Sequence, residues 1–265
     1  MKEIQIDELR ELQMQILDYV DAFCRRHGIK YTISGGTLLG AVRHGGYIPW
    51  DDDIDIQMLR EEYNRFTVLW NKFEKDQLYE LISIESGNAI GYVFGKVHNL
   101  KTVTFVRGLE RTGVYIDIFP VDDVIDNKDF QKRRRRIKSL KRKEGWAFLL
   151  STRKTSHIGF INLCKAFLIT LGKPRTYFAE RINDEAKCKN EIGASFVFEM
   201  VAGIKCKKPI PKDVFMDYSY IKFENRTYMA VKDFDTYLAA TFGDYMKLPP
   251  IEKQKREHNF VPYWR

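Results

Sequence analysis

The hydrophobic positions of the chain change period several times, and each change marks an element. From Asp7 to His27, Leu9, Leu12, Ile16, Val20, Phe23 and Cys24 recur at helical spacing, which predicts one buried face. Asp7 can cap the first turn, and Gly28 can take the left-handed conformation that ends a helix. Ile29 to Ile33 reads as a short strand stopped by Ser34-Gly35-Gly36. Thr37 to Arg43 then suits a helix. Ile54, Ile56 and Met58 alternate with Asp53, Asp55 and Gln57, the period of a strand with one apolar and one polar face.

Glu61 to Phe73 returns to helical spacing. Tyr79–Glu85, Gly91–Val97, Thr102–Val106 and Val114–Phe119 read as strands. Beyond Asp129 the pattern is mainly helical, with apolar patches at Phe148–Leu150 and Ile158–Leu171. The prediction is an α+β protein: a strand-rich core over residues 1–125, then a mainly helical region over 126–265.

Composition agrees with a sizeable core, since 44% of the 265 residues are hydrophobic. No stretch reaches the roughly 18–20 consecutive apolar residues of a spanning helix; Ile158–Leu171 is too short and contains Lys165. The N-terminus, MKEIQIDELRELQ, is acidic and amphipathic, unlike a secretory leader. A cytoplasmic location is the expectation. Cys24, Cys164, Cys188 and Cys206 form no CxxC pair, so they read as ordinary reduced thiols rather than a zinc ribbon.

The net charge of +8 is local. KRRRRIKSLKRK, residues 132–143, holds nine of the 44 basic residues and no acid, and the rest nearly balance the 36 acidic ones. A diffuse nucleic-acid face is therefore not expected. The run can attach the protein peripherally to an anionic inner membrane face, or it can be a solvated helix face.

The chemistry concentrates in ISGGTLLGAVRHGGYIPWDDDIDIQM. Asp53 and Asp55 on one strand face lie about 6–7 Å apart, and ionised carboxylates that close need a cation or a proton between them. A hard divalent ion such as Mg²⁺ answers this, held by carboxylates and substrate phosphates. A strand, a glycine pair and a helix start can present backbone N–H groups to an anion. Asp117, between Ile116 and Ile118, offers a third carboxylate for a two-metal site. Singly, each feature also reads as a turn or a solvated residue; together and in this order they point to phosphoryl transfer.

SGGTLLGAVRHGGYIPWDDDIDI, VYIDIFPVDD and FGDYMKLPP closely resemble the LicD family of phosphocholine transferases and their fukutin-type phosphoribitol relatives. These belong to the polymerase-beta-like nucleotidyltransferase superfamily. The resemblance implies a nucleotidyltransferase-like mixed β-sheet core flanked by helices, completed by residues 223–258. It implies that Gly35 and Gly36 form the glycine motif and that Asp53, Asp55 and Asp117 are the catalytic carboxylates. Asp51 joins them as a metal ligand, with two Mg²⁺ ions and Mn²⁺ as the substitute. Arg43 and Lys96 become phosphate contacts, and His258 a C-terminal substrate-side residue. The implied donor is a CDP-alcohol, CDP-choline first, and attack falls on the outer phosphate with release of CMP. The implied acceptor is a glycan, lipid-linked in a teichoic acid or lipopolysaccharide precursor.

A choline head group asks for aromatic walls, and Tyr47 and Trp50 lie nearest the acidic strand in sequence. Two other classes compete: a nucleotidyltransferase acting on a small molecule or sugar phosphate, and a non-catalytic binder of polyanions or membrane surfaces. The second leaves the three carboxylates without a purpose.

Overall fold

The computed structural model describes residues 1–74, 78–87, 92–106, 109–110, 112–151, 160–174, 176–187, 193–202, 208–256 and 260–265. The first half holds α1 (Ile6–His27), β1 (Thr32–Ile33), α2 (Gly35–His44), β2 (Asp55–Leu59) and α3 (Arg60–Phe73). After these come β3 (Tyr79–Ile82), β4 (Gly95–Asn99), β5 (Thr102–Val106), β6 (Leu109–Glu110) and β7 (Tyr115–Val124). The second half opens with α4 (Asn127–Ser151), α5 (Phe160–Thr170) and α6 (Tyr177–Ala186). It continues with β8 (Phe196–Phe198), β9 (Ile210–Pro211), β10 (Tyr218–Phe223), β11 (Arg226–Val231), α7 (Phe234–Phe242) and β12 (Phe260–Trp264).

Helix α1 buries Leu9, Leu12, Ile16, Val20, Phe23 and Cys24, the face its spacing predicts. Its cap is Gln5, two residues ahead of Asp7, which instead lies with Glu8 in the first turn, where the helix dipole favours acids. Gly28 closes the helix at φ 62°, donating its N–H to the carbonyls of Cys24 and Arg25. Phe23, Phe66 and Trp70 meet at ring separations of 5.0–5.6 Å, so α1 and α3 share one aromatic core.

The main sheet runs β1-β2-β7-β4-β3, and β8 joins the far end of β7 with β9 beside it. Only β2 and β7 are parallel among these pairs. Strand β7 continues five residues beyond the expected end at Phe119, straight through Pro120. The ladder explains why. Asp117 donates its N–H to Ile54, so odd residues of β7 donate toward β2 and even ones toward the opposite edge. There β4 pairing ends at Ile118 and β8 pairing begins at Asp122. Pro120 falls in the gap, where a missing N–H costs no ladder bond.

The second half carries more strand than its helical pattern suggests. The β10–β11 hairpin turns at Glu224, whose φ is 55°, without the glycine that usually announces such a turn. Its Phe223, Tyr228, Ala230 and Val231 enter the main core. Strand β12 pairs with β5. A second core, of Val124, Phe130, Ile137, Ile182, Ala186, Phe198, Met200 and Val201, lies among α4, α6 and the β7–β8 end of the sheet.

One buried ion pair ties these parts together. Arg60 donates from Nε and Nη2 to the two carboxylate oxygens of Asp122 at 2.7 and 2.9 Å, and from Nη1 to Asn183 at 2.9 Å. It thereby joins the start of α3 to β7 and α6. Arg60→Met leaves Asp122 buried without its cation, and we expect a loss of about 3–5 kcal/mol in urea unfolding. Arg60→Met/Asp122→Leu should recover most of it; an unchanged midpoint for the single variant would show that the pair does not hold the two halves.

Candidate active site

Register places the chemistry on one line across the sheet. Asp55 on β2 lies opposite Asp117 on β7, and Asp117 lies opposite Lys96 on β4. The Lys96 ammonium forms an ion pair with the Asp117 carboxylate. The same ammonium sits 3.7 Å from the ring centre of Tyr115 and just over 5 Å from those of Tyr92 and Phe94. Two carboxylates and one ammonium therefore follow one another on three neighbouring strands.

The acidic run approaches this line from the loop before β2. Ligand oxygens of Asp51, Asp52 and Asp53 come within 4.8 Å of one another. Asp51 interacts with both Asp53 and Asp55, so it bridges the loop cluster and the strand pair. Without a cation, burial and then the neighbouring Asp53 push the Asp51 carboxyl up to about 8. Burial, then Asp117 and Asp51, raise Asp55 well above the usual range, while Lys96 opposes the rise. Such crowding fits a hard divalent cation, whose charge would favour the ionised forms.

The glycine pair makes the crowding possible. Gly35 opens α2 at φ 54°, and a Cβ there would stand 3.2 Å from Asp55 Oδ2; at Gly36 it would stand 2.6 Å from Asp51 Oδ2. The carboxylates thus pack against the start of α2. The Gly35 N–H is already engaged, donating to the Tyr237 hydroxyl at 3.2 Å. Tyr237 in turn donates to Gln57 Oε1 at 3.0 Å. Thr37 Oγ1 accepts from the Asp55 N–H at 2.9 Å, so α2 and β2 hold each other in place at the site.

Several expected residues lie elsewhere. Strand β2 begins at Asp55, so Asp53 belongs to the preceding loop and the two acids are not neighbours in one ladder. Arg43 is at the opposite end of α2, about 10–12 Å along the helix from the glycines, and donates to the carbonyls of Tyr245 and Lys247. It anchors the segment after α7. Tyr47 is buried in the core: its ring packs on Phe223 and carries the Arg10 guanidinium at 4.8 Å, and its hydroxyl donates to Gln13. Those contacts occupy the ring that a choline wall would need. Trp50 is half-buried with its ring edge toward His44. His258 lies outside the described residues.

Two residues on this side of the sheet escaped the sequence reading. Tyr237 comes from α7, 202 positions from the glycine it engages. Glu199, just past β8, is buried with one carboxylate oxygen facing no hydrogen-bond donor among the described residues. It shares a cavity of about 20 Å³ with Gln57, Phe215, Tyr237 and Thr241, enough for one water. Burial raises its carboxyl to about 8, and its charge reaches Asp55. Neither has a local signature, because each meets the site only through the return of the second half.

Comparison with known proteins places this arrangement. Residues 28–157 match the LicD/FKTN/FKRP nucleotidyltransferase domain. The chain is 33% identical to the lipopolysaccharide cholinephosphotransferase LicD of Haemophilus influenzae over 272 aligned positions, which span 97% of each protein. It is also 46% identical to the ribitol 5-phosphate transferase FKRP of mouse and human over 44 positions, 17% of this chain and 9% of those proteins.

The raised carboxyls make stability depend on pH. Asp51 is about 3.8 when exposed and about 8 in the cation-free fold, so its neutral form contributes stability fully below about pH 3.8. That contribution is lost as the pH climbs through about 8. We expect the metal-free protein to lose thermal stability from about pH 4 to about pH 8 at constant salt, and Asp51→Asn to flatten the decline. A wild-type decline equal to that of Asp51→Asn would remove Asp51 as its source.

Proposed function

The chain belongs to the LicD family, and from that premise we propose that it is a phosphotransferase moving a phospho-alcohol from a CDP-activated donor to a hydroxyl of a cell-surface glycan precursor, releasing CMP. Phosphocholine is the first choice of group, supported by the end-to-end match to a lipopolysaccharide cholinephosphotransferase. Phosphoribitol is the second, supported by a match over only 44 residues. The observation that carries the reading is the Asp55–Asp117–Lys96 row beside the loop carboxylates and the glycine-led start of α2.

Asp51, Asp53, Asp55 and Asp117 would hold Mg²⁺, with Mn²⁺ as substitute, and Asp52 lies close enough to join the loop set. Bound metal would supply charge neutralisation and Lewis acidity at the diphosphate. The remaining work belongs to the chain. Asp117 accepts the proton of the acceptor hydroxyl, whose oxygen then bonds to the outer phosphorus as the anhydride P–O bond breaks and CMP leaves. Lys96, held on Tyr115 and paired with Asp117, is placed to turn its ammonium toward the transferring phosphoryl oxygens. The Tyr237 hydroxyl keeps the first turn of α2 in position through Gly35.

Incubation with Mg²⁺, a glycan acceptor and a panel of CDP-choline, CDP-ribitol, CDP-glycerol and nucleoside triphosphates tests the reading. CMP release from one CDP-alcohol is expected. Pyrophosphate release from a triphosphate would mark a nucleotidyltransferase instead, and no release from any donor would mark a binder.

Asp117→Asn keeps the size of the side chain but cannot take the acceptor's proton. Turnover should fall at least about a hundredfold, with donor affinity changed much less. Turnover within about tenfold of wild type would take Asp117 out of the reaction. Asp122 and Asp123 could not replace it without breaking pairs with Arg60 and Lys212.

A further inference from the structure

Helix α5 presents large apolar side chains to water. Among its described side chains the buried one is the small Ala166, while Phe167 is 57% and Leu168 69% exposed, and Leu171, just past its end, is 61% exposed. With the exposed Cys164, these residues follow the three- and four-residue steps of one helical stripe. An apolar stripe facing water on a helix with no acidic residue is the opposite of the usual arrangement.

The neighbouring helix supplies charge. From Gln131 to Lys173 the sequence carries thirteen basic residues and one acid, Glu144. Some are committed inside the fold. Arg133 is buried, donating to the carbonyls of Asp123 and Glu185 and to Asp129, and Arg136 pairs with Glu185. The run is therefore not a uniform solvated face. Lys132, Arg135, Lys138, Arg142 and Lys143 remain exposed along α4, and Lys173 follows α5. Lys128, Lys132, Arg135 and Arg136 also line an open groove on α4, together with Asn127 and Gln131.

We propose that the packed α4–α5 pair is a docking edge for an anionic lipid bilayer. Phe167, Leu168 and Leu171 enter the boundary between head groups and acyl chains, and the exposed lysines and arginines meet the lipid phosphates. The combination selects this occupant. A free polyanion would satisfy the charge and leave the apolar stripe wet. A second copy would cover the stripe while bringing two strongly basic helices together. Only an anionic surface with an apolar interior satisfies both. The proposal stands apart from the transfer reaction, so its test reads binding alone.

The test is co-sedimentation of the full chain with vesicles of phosphatidylcholine containing about 30% phosphatidylglycerol, at about 0.15 M salt, against vesicles of phosphatidylcholine alone. Binding to the anionic vesicles is expected, at least about tenfold stronger than to neutral ones. Phe167→Ser/Leu168→Ser/Leu171→Ser should weaken it about tenfold or more at low salt. Lys138→Glu/Arg142→Glu/Lys143→Glu should weaken it and reduce its salt dependence. Both sets lie at exposed positions, and a circular-dichroism melt verifies the fold of each. Arg133 is left intact because it is structural. Absence of binding at low salt, equal binding to both vesicle types, or binding indifferent to the serine variant would each overturn the proposal. So would a wild-type dimer in light scattering that the serine variant dissolves, since the stripe would then be a self-interface.

Discussion

The constraint on which the rest of this structure depends is repulsion among carboxylates. Asp51, Asp53, Asp55 and Asp117 interact as one group, and placing them together opposes folding unless protons or cations intervene. The surrounding architecture reads as the means of holding them there. Parallel pairing of β2 and β7 sets Asp55 against Asp117, and β4 brings Lys96 to the free side of Asp117. The start of α2 has no side chains at the two positions where carboxylate oxygens approach. An alanine at Gly36 would not merely add a methyl group; it would occupy the place of an Asp51 oxygen.

Lys96 limits that repulsion. Its ammonium offsets one carboxylate and rests against an aromatic face that favours cations without competing for the same oxygens. Tyr92, Phe94 and Tyr115 form an aromatic surround with the Lys96 ammonium in it. Tyr47 follows the glycine turn and looks exposed to the acidic run, yet it is buried, its ring on the core residue Phe223 and its hydroxyl donating to the buried Gln13.

What was legible in the residues was what is local or periodic. The face of α1, the glycine stop at Gly28, the helix after β2 and the order of glycine pair, acidic run and lone strand aspartate could all be read directly. Register could not. Nothing near Lys96 says that it pairs with Asp117, and nothing near Arg43 says that its guanidinium holds the backbone after α7. The end of β7 was misjudged for a related reason: proline normally stops a strand, and here it occupies the single interval without a neighbour on that edge. The hairpin β10–β11 was hidden because Glu224 takes a positive φ that sequence usually assigns to glycine or asparagine.

The second half also changes what the glycine motif does. A helix start with free N–H groups suits an anion, but the Gly35 N–H donates to Tyr237, and Tyr237 is fixed by Gln57 on the acidic strand itself. The first turn of α2, the strand that carries Asp55 and helix α7 are therefore one hydrogen-bonded unit. Glu199 borders the same cavity as Gln57 and Tyr237, and its charge reaches Asp55. The chain beyond β7 is thus more than a cover laid over a finished site: its return supplies Tyr237, which holds the helix start that the carboxylates face.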